Sequence, residues 1–494
     1  MAKKNHSIVC GSGAGGLTMA LLLARSGQEV TLIESQPEIG GYLRRFYRNN
    51  IPWDTGYHFS GGFGKNDSMT QMMQVLGIEN AAKAELIPHS LMLENGFCFK
   101  IPSGGGIDGT MQAFCDAFPA DADKIREYFR IEKEIWETTP MHDLRDLSPL
   151  QPEFSQYDLC TAAEVCRDLA LSPEAAAGVC SFAMCHGTPL DEAPMSFHAR
   201  AGYALHNDLS RPAGGGDTII REFKKEAEKY GIDIRVNTQL LPFDAPDADG
   251  ECHLAHLSDG TDIETDRVFF TIHPFAIQKI LPQEALTTSL NRRIRRLKES
   301  CSFFCAYFTA DEFVDDGLAS TFSSSDIDKI LRGGSPAHST GILFNRENDR
   351  NGRMHQTICA FRTMNFEDLP AGFSGQHRER MQDPEYQNFK AGITAEIEKE
   401  IISIQPRLQG KLRHVTSGTP LTCLDYDPPT GSAYGARCIC GQSRVCGQLP
   451  VKNFFAAGQS ALVPGVMGTM LASFSVFRQA QGEEVYAKLI RESL

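Results

Sequence analysis

The hydrophobic rhythm of the N-terminal segment changes at each boundary. The apolar run Ile8-Val9-Cys10 predicts a short buried strand. Leu17 to Ala24 holds almost no polar residues and predicts a buried helix, and Glu29 to Glu34 predicts the next strand, with Val30, Leu32 and Ile33 inward. Between the first strand and the helix, Gly11, Gly13 and Gly16 form G-x-G-x-x-G, with Ala14 and Gly15 inside the turn. Such glycines let backbone N–H groups approach a pyrophosphate at a helix N-terminus, where aligned peptide dipoles favour anions. Glu34, at the tip of the second strand, is the carboxylate expected to accept hydrogen bonds from an adenosine ribose. Strand, turn, helix, strand and acid in this order predict a dinucleotide-binding unit.

Further along, Leu91 to Leu93 and Phe97 to Ile101 flank Asn95-Gly96 and predict a type I′ hairpin. Charged stretches at Ala122 to Thr138 and Thr161 to Leu171 predict helices. A glycine-rich segment, Arg211 to Asp217, opens a helix from Thr218 to Tyr230 with Ile219, Ile220, Phe223 and Ala227 on one face. Gly231 closes it, and Ile232 to Val236 alternates as a strand. The region 286–448 is mixed strand and helix. The chain closes with strand Asn453 to Ala456, Gly458-Gln459, Pro464-Gly465 and a long helix from Val466. The expected fold class is α/β. Residues 1–75, 209–285 and 449–494 build a discontinuous Rossmann-type domain, and 76–208 and 286–448 form an inserted α+β substrate domain.

At 494 residues and 41% hydrophobic composition, the chain suits a packed two-domain enzyme rather than a disordered protein. Its formal net charge of −14 disfavours nucleic-acid binding and broad attraction to anionic lipid. Arg292, Arg293, Arg295 and Arg296 around Ile294 are a local exception, either a solvated helix face or a peripheral membrane contact. No apolar run reaches the roughly 18 residues that span a bilayer, and the first strand starts too early for a signal peptide, so a cytoplasmic location is expected. The 15 cysteines are then expected as thiols. Cys423, Cys438, Cys440 and Cys446 lie close in sequence, but their spacing fits no zinc or iron–sulfur pattern, and no metal is expected. Cys301 and Cys305 share one face of a strand as small core residues. His186, His198 and His206 lack the spacing of a helical metal pair and are expected to be structural or substrate-lining.

The residues after Glu34 distinguish NAD from FAD. Gly40-Gly41 looks like the second fingerprint of the FAD-dependent amine oxidase and phytoene desaturase superfamily. With Asp54-Thr-Gly-Tyr-His58, Pro212 to Gly216, Gly231 to Leu240, Gly431-Ser-Ala-Tyr-Gly435, Phe455-Ala-Ala-Gly-Gln459 and Pro464-Gly-Val-Met-Gly468, the chain resembles the phytoene desaturase, carotenoid isomerase and retinol saturase family over nearly its whole length. The D-T-G-x-H segment and Gln459, where many members carry Asp, resemble the retinol saturase branch. The family usually has Arg or Lys directly after the glycine pair. Here Tyr42 stands there, which leaves Arg44 as a phosphate or ribityl contact or, with Arg45 and Arg48, part of a solvated basic loop.

The resemblance implies non-covalent FAD. Leu240 meets adenine through its backbone, Gln459 contacts the ribityl chain, and Gly465, Val466, Met467 and Gly468 start a helix aimed at the flavin N1/O2 edge. It implies hydride and proton transfer at carbon–carbon double bonds of an apolar polyene or isoprenoid, by saturation, desaturation or isomerisation. The electron donor or acceptor stays unspecified. Catalytic candidates are His58, as a proton shuttle, and Tyr426 and Tyr434, as substrate-orienting groups, each with a plain structural alternative. An amine oxidase-like enzyme and a non-catalytic flavin-binding protein remain open beside the polyene enzyme.

Overall fold

The computed structural model describes residues 5–148, 155–373, 376–426 and 429–494. The N-terminal unit consists of β1 (His6–Cys10), α1 (Ala14–Arg25) and β2 (Glu29–Ile33). β1 and β2 pair in parallel, with Val9 opposite Leu32. Buried on both faces, they carry the near-continuous apolar runs that mark a parallel sheet. The sheet extends through Arg267–Phe270 and Phe454–Ala456 on one side and Asp233–Arg235 on the other, all parallel. A short antiparallel edge strand, Gly447–Gln448, completes six strands. α1 is apolar all round because it is covered all round: residues Gly15 to Ala24 are buried, mainly against the helices Gly465–Gln481 and Gly216–Tyr230. The sheet thus draws its strands from distant stretches of the chain.

A second sheet of seven strands stands opposite. Its order is Leu412–Gly418, Ser302–Ala310, Met354–Met364, Ser339–Asn348, Gly317–Phe322, His89–Met92 and Cys98–Ile101. All neighbours are antiparallel except Gly317–Phe322 beside His89–Met92. The long antiparallel core of this sheet is the order within what the sequence shows only as mixed strand and helix. One face packs on the helices Gly106–Ala117, Ala122–Glu137 and Met195–Asn207 in the largest core cluster. The other packs on the long helix Pro384–Ile404.

The hairpin at Asn95-Gly96 forms with Leu91 opposite Phe99, but its turn is not type I′. Gly96 alone has positive φ, at +82°, and its N–H donates to Leu93 O at 2.9 Å. The loop is the longer kind, with glycine in the left-handed position, because Glu94 and Asn95 both lie within the turn. The helix Thr288–Arg295 buries Leu290 and Ile294 and leaves Arg292, Arg295 and Arg296 exposed.

His186, His198 and Tyr128 form a buried hydrogen-bonded chain, His186 to His198 at 2.9 Å and His198 to Tyr128 at 3.0 Å. His206 meets Glu132 at 2.9 Å inside a box of Phe114, Phe129 and Phe182. These histidines hold the helical layer together. Among the described residues, no group of three or more His, Cys, Asp or Glu is placed to hold a metal ion, and no helix is long and apolar enough to cross a membrane.

Candidate active site

The glycines after β1 are of two kinds. A Cβ on Gly16 would overlap the Gly11 carbonyl. One on Gly15 would lie 2.9 Å from Thr469 Cγ2 and 3.2 Å from Gly458 Cα, where α1 crosses the C-terminal helix and Ser473 Oγ donates to Gly15 O at 2.9 Å. Gly11, with φ of +97°, faces Ile272 and Thr271 within 2.9 Å, and Gly468 faces the Val463 backbone. The protein's own packing requires these four. Gly13 is different. Its φ of −65° suits any residue, and a Cβ there would meet no atom within 4 Å. Gly465, at the N-terminus of the C-terminal helix, also faces open space. Gly40-Gly41 closes over the same spot: a Cβ on Gly41 would lie 3.1 Å from Gly13 Cα, and Gly40 N–H donates to Ser12 O at 3.0 Å. A cradle kept free of side chains, with helices starting at Ala14 and Gly465, fits an extended anionic dinucleotide such as FAD.

Glu34 is buried beside this cradle. Its Oε2 accepts from Ser12 N at 3.0 Å and Ser12 Oγ at 2.5 Å, and Oε1 accepts from Gln36 N at 2.8 Å. The carboxylate therefore also ties the glycine turn to β2. The segment leading to Leu240 runs alongside, with Thr238 N–H donating to Glu34 O at 2.9 Å; Leu240 itself is buried and bridges Leu257. Arg44 is half-buried and folds back on its own turn, Nε donating to Gly41 O at 3.2 Å. Gln459 is half-buried in the loop after Phe454–Ala456.

The solvated-loop alternative for Arg45 is incorrect. Its side chain is buried, with Nε 3.2 Å from Asp54 and Nη2 2.6 Å from Glu347. Arg211 completes the cluster, 2.5 Å from Asp54 and 3.1 Å from Glu347. Two arginines and two carboxylates cancel in charge, which lets the group be buried. Burial opposes ionisation of Asp54, but Arg211 foremost, then His58 and Arg45, hold its carboxyl well below the usual carboxylate range. Tyr307 OH donates to Asp54 O at 3.1 Å.

His58 sits in front of this cluster. Its Nδ1 is 3.8 Å from Asp54 Oδ2 and 3.7 Å from Cys359 Sγ, and its carbonyl accepts from Arg211 at 2.7 Å. Its ring stacks on Phe361 at 4.6 Å and 2°. Phe361 meets Phe303 at 6.0 Å, and Phe303 meets Tyr434 at 6.1 Å, both edge-on. Phe59 adds a further ring beside Phe361 at 6.1 Å. His58 and Tyr434 are thus the two ends of one aromatic row on the second sheet. The chain just beyond each end meets the last glycine motif: a Cβ on Gly62 would touch Met467 Sδ at 3.0 Å, and one on Gly435 would lie 3.5 Å from Gln459 Cγ. Burial pushes the Tyr434 hydroxyl well above its ordinary pKa, so it stays protonated. Tyr426 contributes no ring to the row; it ends the helix Pro420–Tyr426 and is 55% exposed.

The sequence reasoning passed over His273 and Glu299. His273 caps the helix Pro274–Ile280, just beyond the strand next to β1, and lies 3.3 Å from Glu299. Neither residue belongs to a motif, and 26 positions separate them in sequence, so only the fold reveals the pair.

A parallel nucleotide sheet, an open glycine cradle and an apolar wall facing it define a flavin-dependent oxidoreductase. The chain belongs to the family described as flavin containing amine oxidoreductase, whose model matches residues 14–338. It is 23% identical to the all-trans-retinol 13,14-reductase of Danio rerio, over 95% of this chain and 84% of that protein. It is 21% identical to the phytoene desaturase of Fusarium fujikuroi, over 63% and 56% respectively. Among solved structures, an oxidoreductase from Methanosarcina mazei superposes with a TM-score of 0.64 at 15% identity, covering 96% of this chain and 100% of that one. That likeness supports the fold. The cofactor of this family is FAD, as the glycine fingerprints imply.

Proposed function

We propose that the enzyme saturates, desaturates or isomerises carbon–carbon double bonds of a long apolar polyene, retinoid- or carotenoid-like. The observation that carries this reading is the aromatic row from His58 to Tyr434, which faces the flavin motif with rings and neutralised charge. A polyene offers few polar handles, so its binding comes from burial at about 25 cal/mol per Å². The named activities of the retinol reductase and phytoene desaturase relatives support the same substrate class.

In this reading Gly11, Gly13, Ala14, Gly15, Gly16, Gly40 and Gly41 shape the pyrophosphate site, and Glu34 and Leu240 line the adenosine end. Arg44, Gly458, Gln459 and Gly465 to Gly468 line the flavin end. Bound there without a covalent link, FAD supplies two-electron hydride chemistry. His58 turns Nδ1 to Asp54 and Cys359, leaving Nε2 to exchange a proton with the substrate carbon. Tyr434, kept protonated, orients the chain of the substrate, and exposed Tyr426 takes no part in the row.

An amine substrate is the second reading, and it suits the family description. It predicts a pair of cofactor-proximal aromatics before the last glycine motif. Phe454 and Phe455 stand at that place but are buried in the nucleotide sheet, Phe455 stacked on Phe269 at 5.3 Å. Product mass decides between the two. Reduced holoenzyme incubated anaerobically with all-trans polyenes, and oxidised holoenzyme incubated with polyenes and with primary amines, are expected to convert polyenes and leave amines unchanged. Conversion of amines alone overturns the reading.

The proposal extends to peripheral membrane contact. Arg292, Arg293, Arg295 and Arg296 have no carboxylate partner among the described residues and form a basic spot on an acidic protein. The enzyme is expected to sediment with vesicles of mixed phosphatidylcholine and phosphatidylserine but not with phosphatidylcholine alone. Equal recovery with both removes this contact.

A further inference from the structure

We infer that Glu299 is a positioning residue, which with His273 and Ser432 fixes the loop carrying Tyr434 to the C-terminal end of the nucleotide sheet. The inference rests on the proposed role of the aromatic row as substrate wall. Its geometry is independent of which substrate that is.

His273 comes just after Arg267–Phe270, an interior strand, at the C-terminal end of the sheet where Thr271 and Ile272 pack on Gly11. Its Nδ1 accepts from Phe275 N at 3.2 Å as a helix cap. That bond leaves the proton on Nε2, which faces Glu299 Oε1 at 3.3 Å. The other carboxylate oxygen, Oε2, accepts from Ser432 Oγ at 2.7 Å. Glu299 therefore uses one oxygen for the cofactor-binding sheet and one for the Tyr434 loop. Burial works against its charge, yet His273 above all, with Ser432 and Thr430, holds the carboxyl below its ordinary range.

The backbone continues the same join. Glu299 bridges Ala436, Ser300 N donates to Gly435 O at 2.9 Å, and Ala433 N donates to Cys301 O at 3.0 Å. Tyr434 N donates to Ser300 Oγ at 3.0 Å, and Arg437 Nε donates to Glu299 O at 2.6 Å. The ladder sets the height of the loop along the strand. Two ties then set the lateral distance between Tyr434 and the glycine motif: the Glu299–His273 contact, and Ala436 N donating to Ser460 Oγ at 3.2 Å. The Ser432 hydrogen bond holds Oε2, and the 3.3 Å approach of His273 Nε2 holds Oε1 by electrostatic attraction.

Glu299→Gln tests this. The amide removes the negative charge that attracts His273 and, with its oxygen toward Nε2, turns its NH2 on Ser432 Oγ, reversing and weakening that bond. The assay uses whichever member of the polyene and amine panel the wild-type enzyme turns over, so failure of the polyene reading is seen separately. With FAD content unchanged, KM is expected to rise roughly tenfold or more, with a smaller change in kcat. In a Tyr434→Ala background the same substitution is expected to change KM less than about twofold, because the residue it positions is gone. Ser432→Ala, a milder change, is expected to show the same pattern if Glu299→Gln folds poorly. Hydrogen exchange on the holoenzyme, followed for peptides spanning 431–437, is expected to quicken in either variant. An equal KM effect with and without Tyr434, an unchanged KM, or a loss of FAD and thermal stability in proportion to activity would overturn the inference.

Discussion

The two faces of the active site are built on opposite principles. The nucleotide face recognises its ligand by removing side chains: Gly13 and Gly465 leave open space, and Gly11, Gly15, Gly16 and Gly468 let backbones touch. The facing wall works by supplying side chains from four segments far apart in sequence, with His58 stacked flat on Phe361, and Phe361, Phe303 and Tyr434 meeting edge to face. The first face tolerates almost no added atom. The second tolerates changes of shape that keep it apolar, and so it is where substrate choice can vary without loss of the cofactor.

The sharpest break of this contrast lies among the glycines themselves. Gly16→Ala is expected to abolish folding or FAD content outright, since its Cβ overlaps the Gly11 carbonyl. Gly13→Ala is expected to leave the apoprotein's thermal midpoint nearly unchanged and still lose FAD, because no protein atom lies within 4 Å of the new Cβ. Thermal melting beside flavin absorbance checks both. Full FAD content in Gly13→Ala would show that the cradle is misplaced.

On the aromatic face, His58→Ala is expected to keep its FAD and cut turnover per flavin by about 10²–10⁴-fold. Preserved turnover per flavin, with lost stability, would make the histidine a structural member of the row.

Behind His58, Asp54→Asn should act on stability. It leaves Arg45 and Arg211 with Glu347 as their remaining acidic partner, and removing one partner of a buried ion pair costs about 3–5 kcal/mol. The pH dependence follows in sign. Because the folded-state pKa of Asp54 is depressed, its contribution is fully present above the unfolded value of about 3.9 and is lost only as pH falls below that, toward the folded value. Denaturant titrations of wild type and variant are expected to converge at low pH. A constant gap down to strong acid would remove the ion cluster as the cause.

The smallest of these effects concerns Glu34. Glu34→Ala is expected to weaken FAD binding by about 1.5–3 kcal/mol, and Glu38→Ala to leave it unchanged. Because Glu34 also accepts from Ser12 N and Oγ, part of this loss is a loosened glycine turn. Equal FAD occupancy in the two variants would contradict the Rossmann register.

The fold of the nucleotide unit and its FAD cofactor could be read from sequence because the determinants proposed for them are local. Gly11 to Gly16, Glu34 and Gly465 act through backbone geometry that a glycine or an acid at fixed spacing already implies. The strands Glu29–Ile33 and Asp233–Arg235 and the helix Gly216–Tyr230 follow from period, and the helix Ala14–Arg25 from its unbroken apolar run after the glycine turn. The wall was less visible. His58 and Tyr434 stood in recognisable segments, but Phe303 and Phe361 come from interior strands whose partners are set by register, Phe361 opposite Cys305. The burial of Arg45 was hidden for the same reason, since its partner Glu347 lies about 300 positions away.

The central claim is that a polyene exchanges electrons with FAD across this wall. The most direct measurement is flavin absorbance under strict anaerobiosis in both directions: reduced holoenzyme mixed with all-trans polyenes, and oxidised holoenzyme mixed with polyenes or with primary amines. The account predicts a change with a polyene, either return of the oxidised spectrum with a product two hydrogens heavier, or bleaching with a product two hydrogens lighter. It predicts no change with amines. Bleaching by amines, with the spectrum indifferent to every polyene and no isomerised product, would contradict it.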